Sequence, residues 1–320
     1  MIIRLASGAG TTFGLDDLPC AAATEMGFWQ DEGLAAEWVP VRGGLAAVEA
    51  LLAGQVDVAY GAYTPALLAA ARGEAVRIFA SMSLGLAQAL VARESVADAA
   101  HISGLRWGVD GIGAMSHMFG RQIVRAMGLN ERTIDWKVVG PPPERIAALA
   151  AGDVDLSLIR FEESIWAPRT YPELRCLMSF AELQRLVPHQ IHGVLSTTTT
   201  FAREQPHALA GLARGMLHAS RTLHDDADAF MAAMRQANQG RGDLSQEDLA
   251  EMWRAMHDSG AFAVNGGMSD AHWLPRWDQM SWQYPDFAPA APWRDALSRA
   301  PMREALSSLG PSPARFDERV

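Results

Sequence analysis

The nine residues Ala50-Leu51-Leu52-Ala53-Gly54-Gln55-Val56-Asp57-Val58 return as Ala148-Leu149-Ala150-Ala151-Gly152-Asp153-Val154-Asp155-Leu156. Six of the nine positions are identical and a seventh keeps an aliphatic; the two Asp residues lie 155 − 57 = 98 positions apart. Each copy reads as the last turns of an alanine-rich helix, a glycine just past its C-terminus, and an acidic turn into a buried strand. Glycine suits that place because it enters the left-handed region without a Cβ clash. A single helix-to-strand connection of any α/β protein can look the same, so the flanks matter. A strand-like segment and a Gly or Pro turn precede each copy (Val39 to Gly44; Trp136 to Pro143). Polar and aromatic residues follow each strand (Tyr60, Tyr63, Thr64; Arg160, Phe161, Glu162). Together these predict two similarly built α/β lobes.

The pattern extends along the chain as short strands alternating with helices, which implies largely parallel sheets. Strands are expected at Ile2 to Ala6, Ala36 to Val41, Val56 to Tyr60, Val76 to Met82 and Ala87 to Ala92, then at Arg106 to Val109, Trp136 to Val139 and Val154 to Ile159. Helices are expected over Leu18 to Met26, capped by Asp16 or Asp17, and over Leu45 to Leu52, Ala66 to Arg72, Met118 to Met127 and Arg145 to Ala150. Gln190 to Ser196 reads as a strand returning to the first lobe. Helices over Pro206 to Leu223, Ala227 to Gln236 and Gln246 to Asp258 follow, and Phe262 to Val320 is expected to wrap the first lobe.

Composition narrows the function. At 320 residues, with 49% hydrophobic and 20% charged content, the chain can bury a large core and is not of the disordered type. A net charge of −10 disfavours nucleic acid, which demands clustered Lys and Arg. No run reaches the ~18 apolar residues of a membrane span. The N-terminus has no basic region followed by an apolar one, so the expected location is periplasmic if a signal was removed and cytoplasmic otherwise. Cys20 and Cys176 fall one per lobe, and their spacing supports no disulfide.

Several motifs resemble the periplasmic-binding-protein type 2 fold, and within it the solute-binding proteins for nitrate, sulfonate, taurine and pyrimidine precursors. Ala23-Thr24-Glu25-Met26-Gly27-Phe28-Trp29-Gln30-Asp31-Glu32-Gly33-Leu34 is similar to that family's "a-x-E-x-G-F-F-x-x-E-G-L". The likeness continues through Gly43-Gly44 and Leu52 to Ala59, and resumes at Ile102 to Val109, where the family has "L-x-G-K-x-V-G-V". It covers roughly residues 1–220 and carries the scaffold rather than the ligand. The family's "E-P" after the later Val-Asp strand is replaced by Arg160-Phe161-Glu162-Glu163.

The resemblance implies two lobes, residues 1–88 with 193–320 and residues 89–192, with a ligand cleft between them and a hinge near Gly85 to Gln88 and His192 to Leu195. It implies a small organic anion as ligand (a sulfonate, carboxylate or heteroaromatic) and an ABC permease as partner; Gly111-x-Gly113 lacks the remaining spacing of a dinucleotide fingerprint, so no cofactor is expected. Some cytoplasmic enzymes, lyases and an aromatic desulfinase among them, use the same fold, so an enzyme or a metabolite sensor stays an alternative.

Ligands of open α/β sheets bind beyond the carboxyl ends of strands, near helix N-termini. That rule selects Ser7, Gly10, Thr11, Thr12 and Phe13 in the first loop, Arg42 and Gly43 in the second, and Tyr63 and Thr64 in the third. In the other lobe it selects Gly113, Ser116 and His117, then Arg160, Phe161 and Glu162. Backbone amides at a helix start favour an oxyanion. The same loops can equally be turns, with Gly and Ser serving as caps. Arg160 can grip an oxyanion or pair with Glu162 or Glu163. Phe13, Tyr63, Phe161 and Trp166 can stack on a ligand or fill the core. If the chain is an enzyme, His117 as acid/base and Cys20 as nucleophile are the candidates. His189-x-x-His192 lacks helical ligand spacing, so no zinc site is expected; Asp270 with His272 is expected at the surface.

Overall fold

The computed structural model describes residues 1–8, 13–188, 190–239, 242–284 and 287–313. The chain runs through β1 (Ile2–Ser7), α1 (Leu18–Glu25), α2 (Phe28–Asp31), β2 (Ala35–Pro40), α3 (Gly43–Leu52), β3 (Val58–Ala62), α4 (Tyr63–Ala71), β4 (Val76–Ser81) and β5 (Gln88–Arg93). It continues with β6 (Arg106–Val109), α5 (Met115–Ala126), β7 (Asp135–Val138), α6 (Pro142–Ala151), β8 (Leu156–Arg160), α7 (Phe161–Thr170), β9 (Leu174–Met178), α8 (Phe180–Leu186) and β10 (Gly193–Thr198). Helices α9 (Thr199–Glu204), α10 (Pro206–Asp225), α11 (Ala227–Ala237), α12 (Gln246–Asp258), α13 (Asp270–Gln283) and α14 (Ala300–Leu309) complete it.

The chain divides into two compact units: residues 1–85, 189–238 and 256–320 form unit 1, and residues 86–188 with 239–255 form unit 2. Unit 1 holds the sheet β2-β1-β3-β10-β4 and unit 2 the sheet β7-β6-β8-β5-β9. In each, the fourth strand runs against the rest: β10 pairs antiparallel with β3 and β4, and β5 with β8 and β9. Both sheets are therefore mixed, each with one inverted strand.

One repeated contact explains the acidic turn of the duplicated stretch. Asp57 Oδ2 accepts from the Arg4 amide at 2.9 Å, and Asp57 Oδ1 accepts from Arg4 Nη2 at 2.9 Å. Asp155 does the same to Arg106, accepting from its amide at 2.8 Å, from Nε at 3.0 Å and from Nη2 at 2.6 Å. The carboxylate at the entrance of the third strand thus staples the first strand of the same sheet. Gly152 stands at the C-cap of α6 with φ 81°, and Gly54 just past α3 with φ 70°. Both match the expected left-handed helix end.

Strand alternation builds unit 2 in three layers. Leu90 and Ala92 of β5 join Trp107, Val109, Phe119, Ile123, Leu156 and Leu158 on one face of the sheet. Val91 turns to the other face, with Ile146, Leu149, Val154, Ile159 and Leu174. Met115, Phe119 and Ile123 recur every four residues, so α5 presents one apolar face to that core. Each such buried side chain contributes roughly 1.5–3 kcal/mol.

Some boundaries move. α5 begins at Met115 rather than Met118 and α4 at Tyr63 rather than Ala66, so residues expected in loops sit on first helical turns. The Asp17 carboxylate accepts from Gly14 N at 3.0 Å and closes a short 3₁₀ turn, Leu15–Asp17, ahead of α1, rather than capping α1 itself. Residues 239–255 cluster with unit 2, where the Asp248 carboxylate accepts two bonds from Arg169, at 2.5 and 2.7 Å.

Candidate ligand-binding sites

In unit 1 the strands β1, β3 and β4 all end at one edge of the sheet, and the antiparallel β10 starts there. Three glycines let the chain close up at this edge. A Cβ on Gly61 would lie 2.9 Å from Gly44 Cα, and one on Gly8 would lie 3.0 Å from both Gly44 N and Tyr60 O. Gly8 N donates to Tyr60 O at 2.9 Å and Gly43 N to Gly8 O at 3.1 Å, which ties the three loops together.

Around that knot stand Ser7, Tyr63, Thr64 and Ser81, all buried, whose hydroxyl oxygens make no hydrogen bond of acceptable geometry. Burial pushes the Tyr63 phenol up, while Arg276 and the Thr64 hydroxyl pull it back. The Tyr63 ring meets Trp273 edge-on at 6.2 Å. Arg276 is only 6% exposed; its Nη1 donates to Gln190 Oε1 and its Nε is buried without a partner. Helix α4 has no side-chain cap, and Tyr63 N donates to His192 O at 3.2 Å. Nearby, His192 Nδ1 lies 3.1 Å from Asp16 Oδ2, and Ser83 Oγ donates to Asp16 Oδ1 at 3.2 Å.

The corresponding edge of unit 2 is built from different groups. The Asp110 amide donates to Ser116 Oγ at 2.9 Å, and Ser116 Oγ donates to Asp110 Oδ1. His117 Nδ1 accepts from Gly113 N at 2.9 Å, and the imidazole stands edge-on to Trp136 at 4.9 Å. An accepting Nδ1 places the proton on Nε2. Burial first, then Arg121, holds the ring below its ordinary pKa, which keeps it neutral. Arg145, 2% exposed, places Nη1 3.7 Å from Asp110 Oδ1, and its Nε has no partner. Glu163 Oε2 accepts from Arg160 N at 3.1 Å; burial first, then Glu162, raises the Glu163 carboxyl. Glu162 is 1% exposed and neither of its oxygens is hydrogen-bonded.

The expected site residues therefore divide. Ser7, Gly43, Tyr63 and Thr64 gather at the unit 1 edge, and Arg160, Phe161 and Glu162 open α7 in unit 2. Gly113, Ser116 and His117 also come together, but they spend their hydrogen bonds on one another and on Asp110. Arg42 is exposed at the start of α3. Gly10, Thr11, Thr12 and His189 lie outside the described residues. Phe13 packs on Trp38 at 5.1 Å and Phe161 stacks on Phe180 at 5.2 Å. Trp166 lines a unit 2 groove of about 420 Å³ with Arg169, Thr170, Gly242 and Asp243, at the far end of α7. Cys20 is fully buried with Sγ 2.8 Å from Met82 Sδ, and burial pushes its thiol well up, which is poor for a nucleophile. Both cysteines are free. His272 is a correction: it is 1% exposed and bonded to Ser269 Oγ at 2.8 Å, whereas Asp270 is held by Arg294 and Arg299.

Arg276, Ser81, Arg145 and Asp110 were not anticipated. Arg276 carried one usable signal: it sits three residues after Trp273, on the same face of its helix. Among the described residues no group of three or more His, Cys, Asp or Glu could hold a metal, and no helix is long and apolar enough to cross a membrane.

Two mixed sheets of matching strand order, flanked by helices, define the two-lobed class of the periplasmic-binding-protein type. The chain belongs to the NMT1-like family, whose model matches residues 9–237. No curated protein matches the sequence at a significant level. Among solved structures, a protein from Bordetella bronchiseptica RB50 is 19% identical with TM-score 0.75, over 96% of this chain and 97% of that one. The ligand-binding component of an ABC-type import system from Staphylococcus aureus is 10% identical with TM-score 0.74, over 95% and 99%. The alkanesulfonate-binding protein SsuA from Xanthomonas axonopodis pv. citri, bound to MOPS, is 16% identical with TM-score 0.68, over 95% and 97%. At these identities the likeness is one of fold.

Proposed function

We propose that this protein is a solute-binding component of ABC-type uptake, working outside the cytoplasmic membrane and taking a small organic anion such as a sulfonate, a carboxylate or a heteroaromatic acid. One observation carries this reading: the buried Ser7 and Ser81 hydroxyls have no hydrogen-bond partner, and the Tyr63 and Thr64 hydroxyls at the uncapped start of α4 have at most each other. Buried polar groups are ordinarily satisfied, and leaving one unmade costs about 1–3 kcal/mol. A ligand with several acceptor oxygens would satisfy them, and the amides at the helix start favour negative charge. The family and the sulfonate- and import-related structural neighbours agree with that role. Among the described residues, Cys20 is held protonated by burial in the core and His117 Nδ1 is engaged by Gly113 N, so neither candidate is an activated nucleophile paired with a base.

Calorimetric titration of the full chain with ethanesulfonate, benzoate, nitrate and orotate tests the proposal. At least one should bind and be recovered chemically unchanged. Consumption of a bound compound would replace the transport reading with an enzymatic one.

A further inference from the structure

We propose that Arg276, with the Tyr63 hydroxyl beside it, forms the anion-receiving subsite of unit 1 and selects one singly charged oxyanion group, a sulfonate or a carboxylate. The inference rests on the solute-binding reading and names its charge-recognising residue.

The position follows from topology. β10 is antiparallel to β3 and β4, with Gly193 opposite Ala62 and Val194 opposite Ser81. Gln190, three residues before β10, therefore lies just beyond the edge where β3 and β4 end. Arg276 Nη1 donates to Gln190 Oε1, which puts the guanidinium at that edge. Helix α13 fixes it from the other side. Trp273 Nε1 donates to Gly267 O at 2.9 Å and its ring stands on Tyr63, so the face shared by Trp273 and Arg276 is turned to the start of α4.

The charge balance is the unusual part. Arg276 is 94% buried, yet its one hydrogen bond among the described residues goes to a neutral amide oxygen. No described carboxylate stands close enough to register on it; burial lowers its pKa and only Tyr63 opposes that. Arg145 of unit 2 is as deeply buried but has Asp110 and Glu163 in its field. A buried cation without a counter-ion is expensive, and a guanidinium meets a planar or tetrahedral oxyanion through two parallel N–H donors. Ser7, Tyr63, Thr64, Ser81 and Gln190 at this edge are neutral, and the nearby Asp16 carboxylate is engaged by His192 and Ser83. One buried positive charge among hydroxyls matches a monoanion better than a phosphate dianion.

The test compares wild type with Arg276→Met, Arg276→Lys and Tyr63→Phe. The probes are ethanesulfonate, benzoate and methyl phosphate at pH 8, titrated calorimetrically, with melting curves of the unliganded proteins. Wild type should bind ethanesulfonate or benzoate at least tenfold tighter than methyl phosphate. Arg276→Met should weaken that binding roughly 10- to 100-fold, as expected for lost charge-assisted hydrogen bonds, and Arg276→Lys should fall between the two. Tyr63→Phe should weaken it severalfold. Unliganded Arg276→Met should melt at or above the wild-type temperature, because an unpaired buried charge has been removed. Arg276→Met that fails to fold, or that binds within twofold of wild type, would make Arg276 a structural post for Gln190 and overturn the subsite while leaving solute binding intact. Wild type that ignores all three anions would overturn this inference, and the parent reading would fall with it only if nitrate and orotate were ignored as well.

Discussion

Unit 1 and unit 2 share a scaffold and differ in their chemistry. Their sheets have the same order, with the inverted strand in the same place. Arg4–Asp57 in one corresponds to Arg106–Asp155 in the other, and Gly54 corresponds to Gly152. At the strand ends the correspondence stops. Tyr63-Thr64 of α4 becomes Phe161-Glu162 of α7. The unit 1 edge carries hydroxyls and, in Arg276, a cation that no described carboxylate approaches, with Asp16 turned to His192 and Ser83, whereas the unit 2 edge carries Asp110, Glu162 and Glu163 with Arg145 and Arg160. Residues that close the sheet were kept in both copies. Residues beyond its carboxyl edge, which no strand pairing constrains, diverged.

The sharpest way to break this comparison is at the glycine knot of unit 1. Ile159 fills the unit 2 position that Gly61 holds in unit 1, as the 98-residue offset sets out. Gly61→Val would push side-chain carbons into Gly44, whose backbone cannot swing away as a flexible side chain would. The expected loss is about 3 kcal/mol, read as a lower urea midpoint. An unchanged midpoint would mean that the close approach is incidental and the two edges are more alike than they look.

Acid should separate the units next. Arg121 first, then Arg125, holds the Glu131 carboxyl down to about 2; Arg106 lowers Asp155 and Arg169 lowers Asp248. These folded-state values lie below the unfolded ones near 4. The stability they add is therefore present above about pH 4 and is lost as pH falls from there towards 2. All three belong to unit 2, whereas Asp270, held by Arg299 and Arg294, is the comparable group of unit 1. Glu131 alone should contribute about 1 kcal/mol after solvent screening. Amide exchange at pH 3 against pH 7 should show α5 losing protection before α3; simultaneous loss would count against the asymmetry.

A smaller effect tests the shared part. Asp57→Ala and Asp155→Ala each remove a hydrogen bond to a backbone amide, worth about 1 kcal/mol. The outward guanidiniums add little. The two losses should be similar, and each should raise exchange in its own sheet. One silent variant would reduce the repeat to a likeness of sequence.

These same contrasts show what the sequence made legible. The duplicated stretch announced two lobes because helix end, glycine and buried strand follow local rules that hold wherever they occur. The purpose of Asp57 and Asp155 was hidden, since Arg4 and Arg106 lie 53 and 49 residues away. Ser7, Tyr63 and Thr64 were placed at the unit 1 edge from strand-end position alone. Arg276 was not, because α13 reaches that edge only after the whole of unit 2 has intervened. His117 and Ser116 were placed beyond the right strand, but they sit on the first turn of α5, where Ser116 bonds Asp110 and His117 Nδ1 accepts from Gly113 N.

His117 offers the smallest and most discriminating measurement on the unit 2 edge. Its folded-state pKa lies below the usual value through burial and Arg121, with Glu131 and Asp110 opposing. Unfolding would let it take up a proton, so its neutral form adds stability above about pH 6.5 that is lost as pH falls through that value. His117→Gln keeps an acceptor for Gly113 N and should cost no more than about 0.5 kcal/mol at pH 7.5. Between pH 7.5 and 5 its urea midpoint should decline less than that of wild type, by the share His117 had contributed. Parallel declines would mean that the imidazole is already solvated and ionisable at the edge of unit 2, free to exchange protons with whatever binds there, and the contrast with the neutral hydroxyls of unit 1 would have to be redrawn.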